Sequence, residues 1–137
     1  MTPIDQTRFG KPHGNCLAAA VASVLELPLD SVPDLNATDV HQLIVLNDWL
    51  RQFDLQFTWV PWDTYTGHRH SFFLVSGESP RGLRHTVVCN ERGELAHDPH
   101  PSRAGIAQAL ECGLFIATCP QKLCTDARPV DTPTPVS

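Results

Sequence analysis

Apolar positions recur along this chain with two different periods, and the change of period divides it. Between Cys16 and Leu27 there is a single charged residue, Glu26, and the run stops at Pro28. Leu17, Val21, Val24 and Leu25 fall on one helical stripe, with alanines filling the turns between them. The spacing predicts a first helix apolar enough to be covered on most sides. "DSVPDL" at 30–35 reads as a turn. A second helix is predicted from the capping candidates Thr38 and Asp39 to about Phe53. Val40, Leu43, Ile44 and Leu50 form its apolar face, widened by Leu46, Trp49 and Phe53.

Past residue 54 the period shortens to two. Leu55, Phe57 and Trp59 alternate with Gln56 and Thr58, which predicts a strand over 55–60. "SFFLVS" at 71–76 is apolar on both faces and predicts a central strand. "GESPRGL" at 77–83 reads as a loop, because glycine and proline break any regular pattern. "HTVVCN" and "ELAH" read as two strands around a turn at Glu91-Arg92-Gly93. Ser102 is placed to cap a short helix reaching Cys112 and ended by Gly113, and "LFIAT" at 114–118 makes a last strand. Helices followed by strands predict an α+β fold with an antiparallel sheet, the first helix lying against it. Residues 1–124 read as one domain. Residues 125–137, with three prolines and no periodic apolar positions, read as a disordered tail.

Composition narrows the function. A chain of 137 residues can bury a real core in one domain. A net charge of −5, with Lys and Arg scattered, is wrong for a nucleic-acid or anionic-membrane surface, so neither partner is expected. No stretch approaches the ~18 apolar residues of a membrane span, and the first residues have no apolar signal core. The expected compartment is the cytosol. There, Cys16, Cys89, Cys112, Cys119 and Cys124, with no CxxC pair among them, are expected to be mostly small buried hydrophobes. The histidines of "HRH" (His68, His70) and "HDPH" (His97, His100) do not match zinc-ligand spacings, so neither metal nor cofactor is expected. The glycine-rich 76–85 segment lacks the Lys-Ser/Thr ending of a phosphate loop and leads into a strand.

Cys16 departs from the buried-cysteine expectation. It opens the first helix, after the flexible His13-Gly14-Asn15, where the positive end of the helix dipole favours a thiolate. A two-residue turn centred on Glu91 and Arg92 would set His85 directly opposite Asp98, with Cβ atoms roughly 5 Å apart. A one-residue slip would put His97 there instead. Val87 and Cys89 share the His85 face, so a helix packed on that face would bring Cys16 beside His85. An imidazole held by a carboxylate at one nitrogen is free at the other to act as a base. The Cys16 peptide N–H is one oxyanion donor; Gln6, the only glutamine before Cys16, is the candidate second, and Asn15 the lesser one. Arg81 and Arg84 are candidates to contact a substrate carboxylate, and Trp59, Trp62 and Tyr65 to wall a cleft. For each of these, solvation or ordinary packing is the simpler role.

The order Cys…His…Asp, the cysteine opening an apolar helix and the late "HTVV…ELAHDP" resemble the papain-like cysteine peptidase fold. The "HDP" ending and the short chain are most similar to its C39-like branch and to small stand-alone relatives in bacteria and phages. The resemblance implies Cys16 as nucleophile, His85 as general base and acid, Asp98 as the orienting carboxylate and Gln6 as oxyanion donor. It implies a peptide or protein substrate cleaved at an amide or isopeptide bond through a thioester. Gln6 stands ten residues before Cys16, a longer interval than the family usually keeps. Deamidation and transglutamination use the same constellation, and a catalytically dead binding module of this fold is the remaining alternative.

Overall fold

The computed structural model describes residues 1–10, 14–36, 41–62 and 72–118. Helix α1, Cys16–Leu25, buries every residue from Leu17 to Ser23. The sheet covers one side of it and the N-terminal segment the other. Thr2 N–H donates to the Ser23 carbonyl at 3.0 Å, and Ile4 N–H donates to Ser23 Oγ at 3.0 Å. The Ser23 hydroxyl in turn donates to the Ala19 carbonyl at 2.8 Å, so the one polar side chain in the buried run is satisfied. The helix ends two residues before the expected Leu27, because Glu26 turns left-handed at φ 59° and Pro28 cannot continue it.

Helix α2 covers Gln42–Leu50, and a 3₁₀ turn carries the chain on to Phe53. The expected caps Thr38 and Asp39, like Val40, lie outside the described residues. The observed cap is His41, whose Nδ1 accepts the Leu43 N–H at 3.1 Å. Leu46 and Leu50 are fully buried, whereas Ile44, expected on the same face, is 63% exposed.

Five antiparallel strands follow: β1 Leu55–Pro61, β2 Phe73–Glu78, β3 Arg84–Cys89, β4 Leu95–His97 and β5 Gln108–Ala117. Their order across the sheet is β1-β5-β2-β3-β4. Among the described residues the architecture is thus α+β, two α-helices and one antiparallel sheet, as the periodicity predicts. The helix expected over 102–112 does not form. Gln108 to Cys112 instead begin β5, which fills the gap between β1 and β2 and gains a hydrogen-bonded ladder on both edges. Gly113 is not a helix stop. It sits mid-strand beneath two rings, where an added Cβ would lie 2.4 Å from Phe57 and 2.9 Å from Trp59.

Gly77 and Glu78, read from sequence as loop, extend β2. Gly77 lies at a bulge where β5 crosses so closely that a Cβ would stand 2.0 Å from the Gln108 carbonyl oxygen. Because that neighbour is backbone, Gly77→Ala is expected to cost about 3 kcal/mol and lower the melting temperature by about 10 °C. A thermal melt within 2 °C of wild type would contradict the bulge. Gly77 pairs directly with His85 across the ladder, so this close approach also sets the strand that carries the site.

The sheet has two apolar faces. Phe57, Leu74 and Val88 join α1 and α2 in the main core. Phe73, Val75, Val87, Cys89 and Cys112 form a second cluster on the opposite face. Helix α1 therefore packs on the Val88 side of β3 and not, as expected, on the face of Val87 and Cys89. Alternation along the strand decides this.

Candidate active site

Strand β4 is short. It pairs with β3 only at Val88 and Cys89, and among the described residues no strand covers the first half of β3 on that edge. The start of α1 approaches there. Cys16 meets His85 through its side chain and Thr86 through both its peptide N–H and its hydroxyl. The end of the strand, rather than a shared sheet face, is what brings the cysteine and histidine together.

Asp98 also reaches His85 by an unexpected route. The β3–β4 turn holds three residues, not two: Asn90 N–H donates to the Glu94 carbonyl and Gly93 N–H to the Asn90 carbonyl, each at 2.9 Å. Gly93 takes φ 82°, and the Asn90 side chain accepts the N–H groups of Arg92 and Glu94. A glycine in the left-handed conformation at the third loop position makes this longer turn, which pairs Cys89 with Leu95, and a register shift between Val88 and Cys89 then sets Val88 opposite His97. Asp98 is therefore not a ladder partner of His85. It lies just past β4, in a loop that bends back.

That loop is built around the carboxylate. Asp98 Oδ1 stands 2.6 Å from His85 Nε2 and accepts the His100 N–H at 2.9 Å, while Oδ2 accepts the Gly105 N–H at 2.7 Å. His85 and Asp98 are 3% and 2% exposed. Burial alone would push the Asp98 carboxyl up, but the bonds from His85, His100 and Gly105 hold it below the ordinary carboxylate range. With the carboxylate ionised, Nε2 carries the proton it donates, and Nδ1 is the ring nitrogen left for the thiol. Burial pushes the Cys16 thiol up, yet the His85 and Thr86 bonds bring it below its usual value. Burial likewise pulls the His85 imidazole down, and Cys16 and Asp98 outweigh it and raise it. The geometry thus favours a thiolate–imidazolium pair.

Gln6 is buried and lines the same cleft as Cys16. Asn15 makes this possible despite the ten-residue interval. Its Oδ1 accepts the N–H groups of Thr7 and Arg8 at 3.0 and 2.9 Å, and its Nδ2 donates to Thr7 Oγ1 at 3.0 Å. The segment after Gln6 is thereby folded back onto the start of α1, and the Asn15 side chain serves as its brace. Gln6 Nε2 donates one hydrogen to the Arg8 carbonyl at 2.8 Å, leaving its second; Gln6 Oε1 has no partner among the described residues. The Cys16 N–H is the first in the helix, one of the donors that the intrahelical bonding pattern leaves over.

The cleft holds about 1060 Å³ and runs from the start of α1 past residues 29–36 to the sheet. Arg81 and Arg84 line it. Arg81 Nη1 donates to Ser102 Oγ at 2.9 Å. Arg84 donates to Ser76 Oγ at 3.1 Å and to Glu111 at 2.6 Å, so its charge is already met. Trp59 contributes to the cleft wall and Trp62 does not; Tyr65 lies outside the described residues.

His97 and His100 go separate ways. His97 Nε2 donates to the Ile4 carbonyl at 3.0 Å. The His100 ring stands edge-on to His85 at 6.1 Å and to Phe9 at 5.3 Å. Among the described residues no three His, Cys, Asp or Glu side chains are grouped to hold a metal ion, and no helix is long and apolar enough to cross a membrane. His68, His70, Cys119, Cys124 and the 125–137 tail lie outside the described residues.

Thr86 and the N–H groups of His100 and Gly105 are the partners that sequence reasoning missed. Only the glycine at 105, which takes φ 75°, left a trace of its loop in the sequence. No protein-family model, curated protein or solved structure matches this chain.

Proposed function

We propose that this protein is a papain-like thiol hydrolase that cleaves amide or isopeptide bonds in a peptide or protein through a thioester. One observation carries the reading: a cysteine at a helix start and a buried imidazole on its thiol, both lining one cleft, with a fully hydrogen-bonded carboxylate behind them on the far ring nitrogen. The Cys16 thiolate attacks the carbonyl carbon, and the oxyanion is received by the Cys16 N–H and the free Gln6 Nε2 hydrogen. Collapse expels the amine, which takes the proton from His85 Nδ1–H. His85 then removes a proton from water, whose oxygen attacks the thioester and releases acid and thiol. An amine in place of water gives transfer by the same steps.

Cysteine reactivity tests this without a known substrate. At pH 6 an ordinary thiol with a pKa near 8.5 is only roughly 0.3% ionised. Limiting iodoacetamide is expected to label Cys16 well ahead of the other four cysteines, two of which, Cys89 and Cys112, are buried on the far face of the sheet. In His85→Ala the preference should fall sharply. Cys16 labelling last in the folded protein, as an inert binding module would show, overturns the proposal.

A further inference from the structure

Asp5 and Arg103 take no part in the chemistry above, yet they join two segments that do. The Arg103 guanidinium grips the Asp5 carboxylate by two parallel bonds, Nη1 to Oδ1 at 2.6 Å and Nη2 to Oδ2 at 2.9 Å. The same Nη1 donates to the Asp98 peptide carbonyl at 2.6 Å. One residue past Asp5, the Gln6 N–H donates to the Pro99 carbonyl at 3.1 Å. The segment ending in Gln6 and the loop beginning at Asp98 are therefore laced edge to edge, with the ion pair at the seam. His97 Nε2, 3.2 Å from Asp5 Oδ1, closes its other side.

Stability alone explains this pair poorly. Asp5 and Arg103 side chains are about half exposed, at 46% and 50%, where ion pairs contribute little. Arg103 also holds φ 55°, a left-handed backbone that a residue with a side chain adopts at a cost. What the fork does supply is geometry: two carboxylate oxygens and one carbonyl are fixed by a single rigid plane. The carbonyl belongs to Asp98, whose own carboxylate must meet His85 at 2.6 Å.

We propose that the Asp5–Arg103 pair is a positioning clasp, which holds the Asp98 loop and the Gln6 segment in the register that keeps His85 on Cys16. This rests on the thiol-hydrolase reading. Among the described residues the charged and titratable groups around the dyad are Cys16, His85, His100, Asp98, Arg81 and Arg103, with Asp5 and His97 at the seam; Arg103 bonds both the Asp98 carbonyl and, through Asp5, the N-terminal segment. Loosening the clasp weakens the Asp98–His85 bond, the imidazolium loses its support, and the thiolate fraction at low pH falls with it. Lysine cannot replace arginine fully, since one ammonium does not span both Asp5 oxygens and the Asp98 carbonyl.

The test is the pH profile of Cys16 alkylation by iodoacetamide, from pH 5 to pH 10, in the full chain. Wild type, Arg103→Ala, Arg103→Lys and the Asp5→Ala/Arg103→Ala double variant are compared, each with a thermal melt. Arg103→Ala is expected to slow labelling at pH 6 about tenfold, equivalent to one unit in the apparent pKa of Cys16, with an unchanged rate at pH 10. Arg103→Lys should recover part of the loss, and the double variant should be no worse than Arg103→Ala. An Arg103→Ala profile superimposed on wild type overturns the clasp and leaves the hydrolase reading standing. So does a loss equal at all pH values with a lowered melt, which is loop collapse rather than positioning. Absence of low-pH reactivity in the wild type itself overturns the hydrolase reading and the clasp with it.

Discussion

Cys16→Ala is expected to reduce turnover of any amide substrate to background, a loss on the order of 10⁶-fold in kcat, while the thermal melt stays near that of wild type. The substitution deletes one sulfur, and alanine suits the first turn of α1 at least as well. His85→Ala should be nearly as severe, and combining the two should add almost nothing, because nucleophile and base act as a unit. The two differ in stability. Removing the imidazole leaves Asp98 Oδ1 buried without its 2.6 Å partner, so His85→Ala should melt lower where Cys16→Ala does not. The measurement is kcat on the first substrate found, with circular dichroism melts of both variants. Full activity in Cys16→Ala would sink the hydrolase reading.

Asp98→Ala should be the most destabilising single change in the site. The carboxylate receives His85, the His100 N–H and the Gly105 N–H, and all of them lose their acceptor together. Breaking a buried charged constellation from one side costs about 3–5 kcal/mol, which corresponds to roughly 10–15 °C in melting temperature. Asp98→Asn keeps the shape but puts a donor where an acceptor stood. It should lose less stability, yet leave His85 held in the wrong tautomer, with activity down about 10⁴-fold.

The acid limb has a definite sign. The folded pKa of Asp98 lies below its unfolded value of about 3.9, so its contribution is fully present above that value. It is lost as pH falls from about 4 through the folded pKa. Melts between pH 2 and pH 7 should show a shallower acid loss in Asp98→Ala than in wild type. Equal slopes would mean that the carboxylate is not held ionised by the loop.

Local chemistry was legible where one residue's signal did not depend on distant partners. The apolar run after Cys16 predicts α1, and Glu26-Leu27-Pro28 marks its end to within two residues. The alternation at 55–60 predicts β1. Helix α2 was legible in its body, where Leu46 and Leu50 are buried, and not in its outward face, since Ile44 points to solvent. Strand β5 was misread. Residues 102–113 carry a capping serine and a terminal glycine that suit a helix, but a ten-residue strand between β1 and β2 satisfies two ladders at once. Tertiary pairing outweighs local propensity there.

The sequence by itself determined the α+β class, the helix that presents Cys16 and the residue types able to form a nucleophile, a base and an orienting acid. These follow from short-range periodicity and from the chemistry of single side chains, which neighbours in the chain already set. Only the tertiary structure decided how those residues meet. The three-residue turn at 91–93 and the register shift after Val88 move Asp98 off the ladder, the shortness of β4 leaves His85 and Thr86 of β3 open to Cys16, and the Asn15 brace folds Gln6 back to the cleft. The turn and the brace are set by specific hydrogen bonds within ten residues of chain, and the meeting of Cys16 with β3 by contact between segments far apart; a pattern of apolar and polar residues encodes neither the register nor the distance.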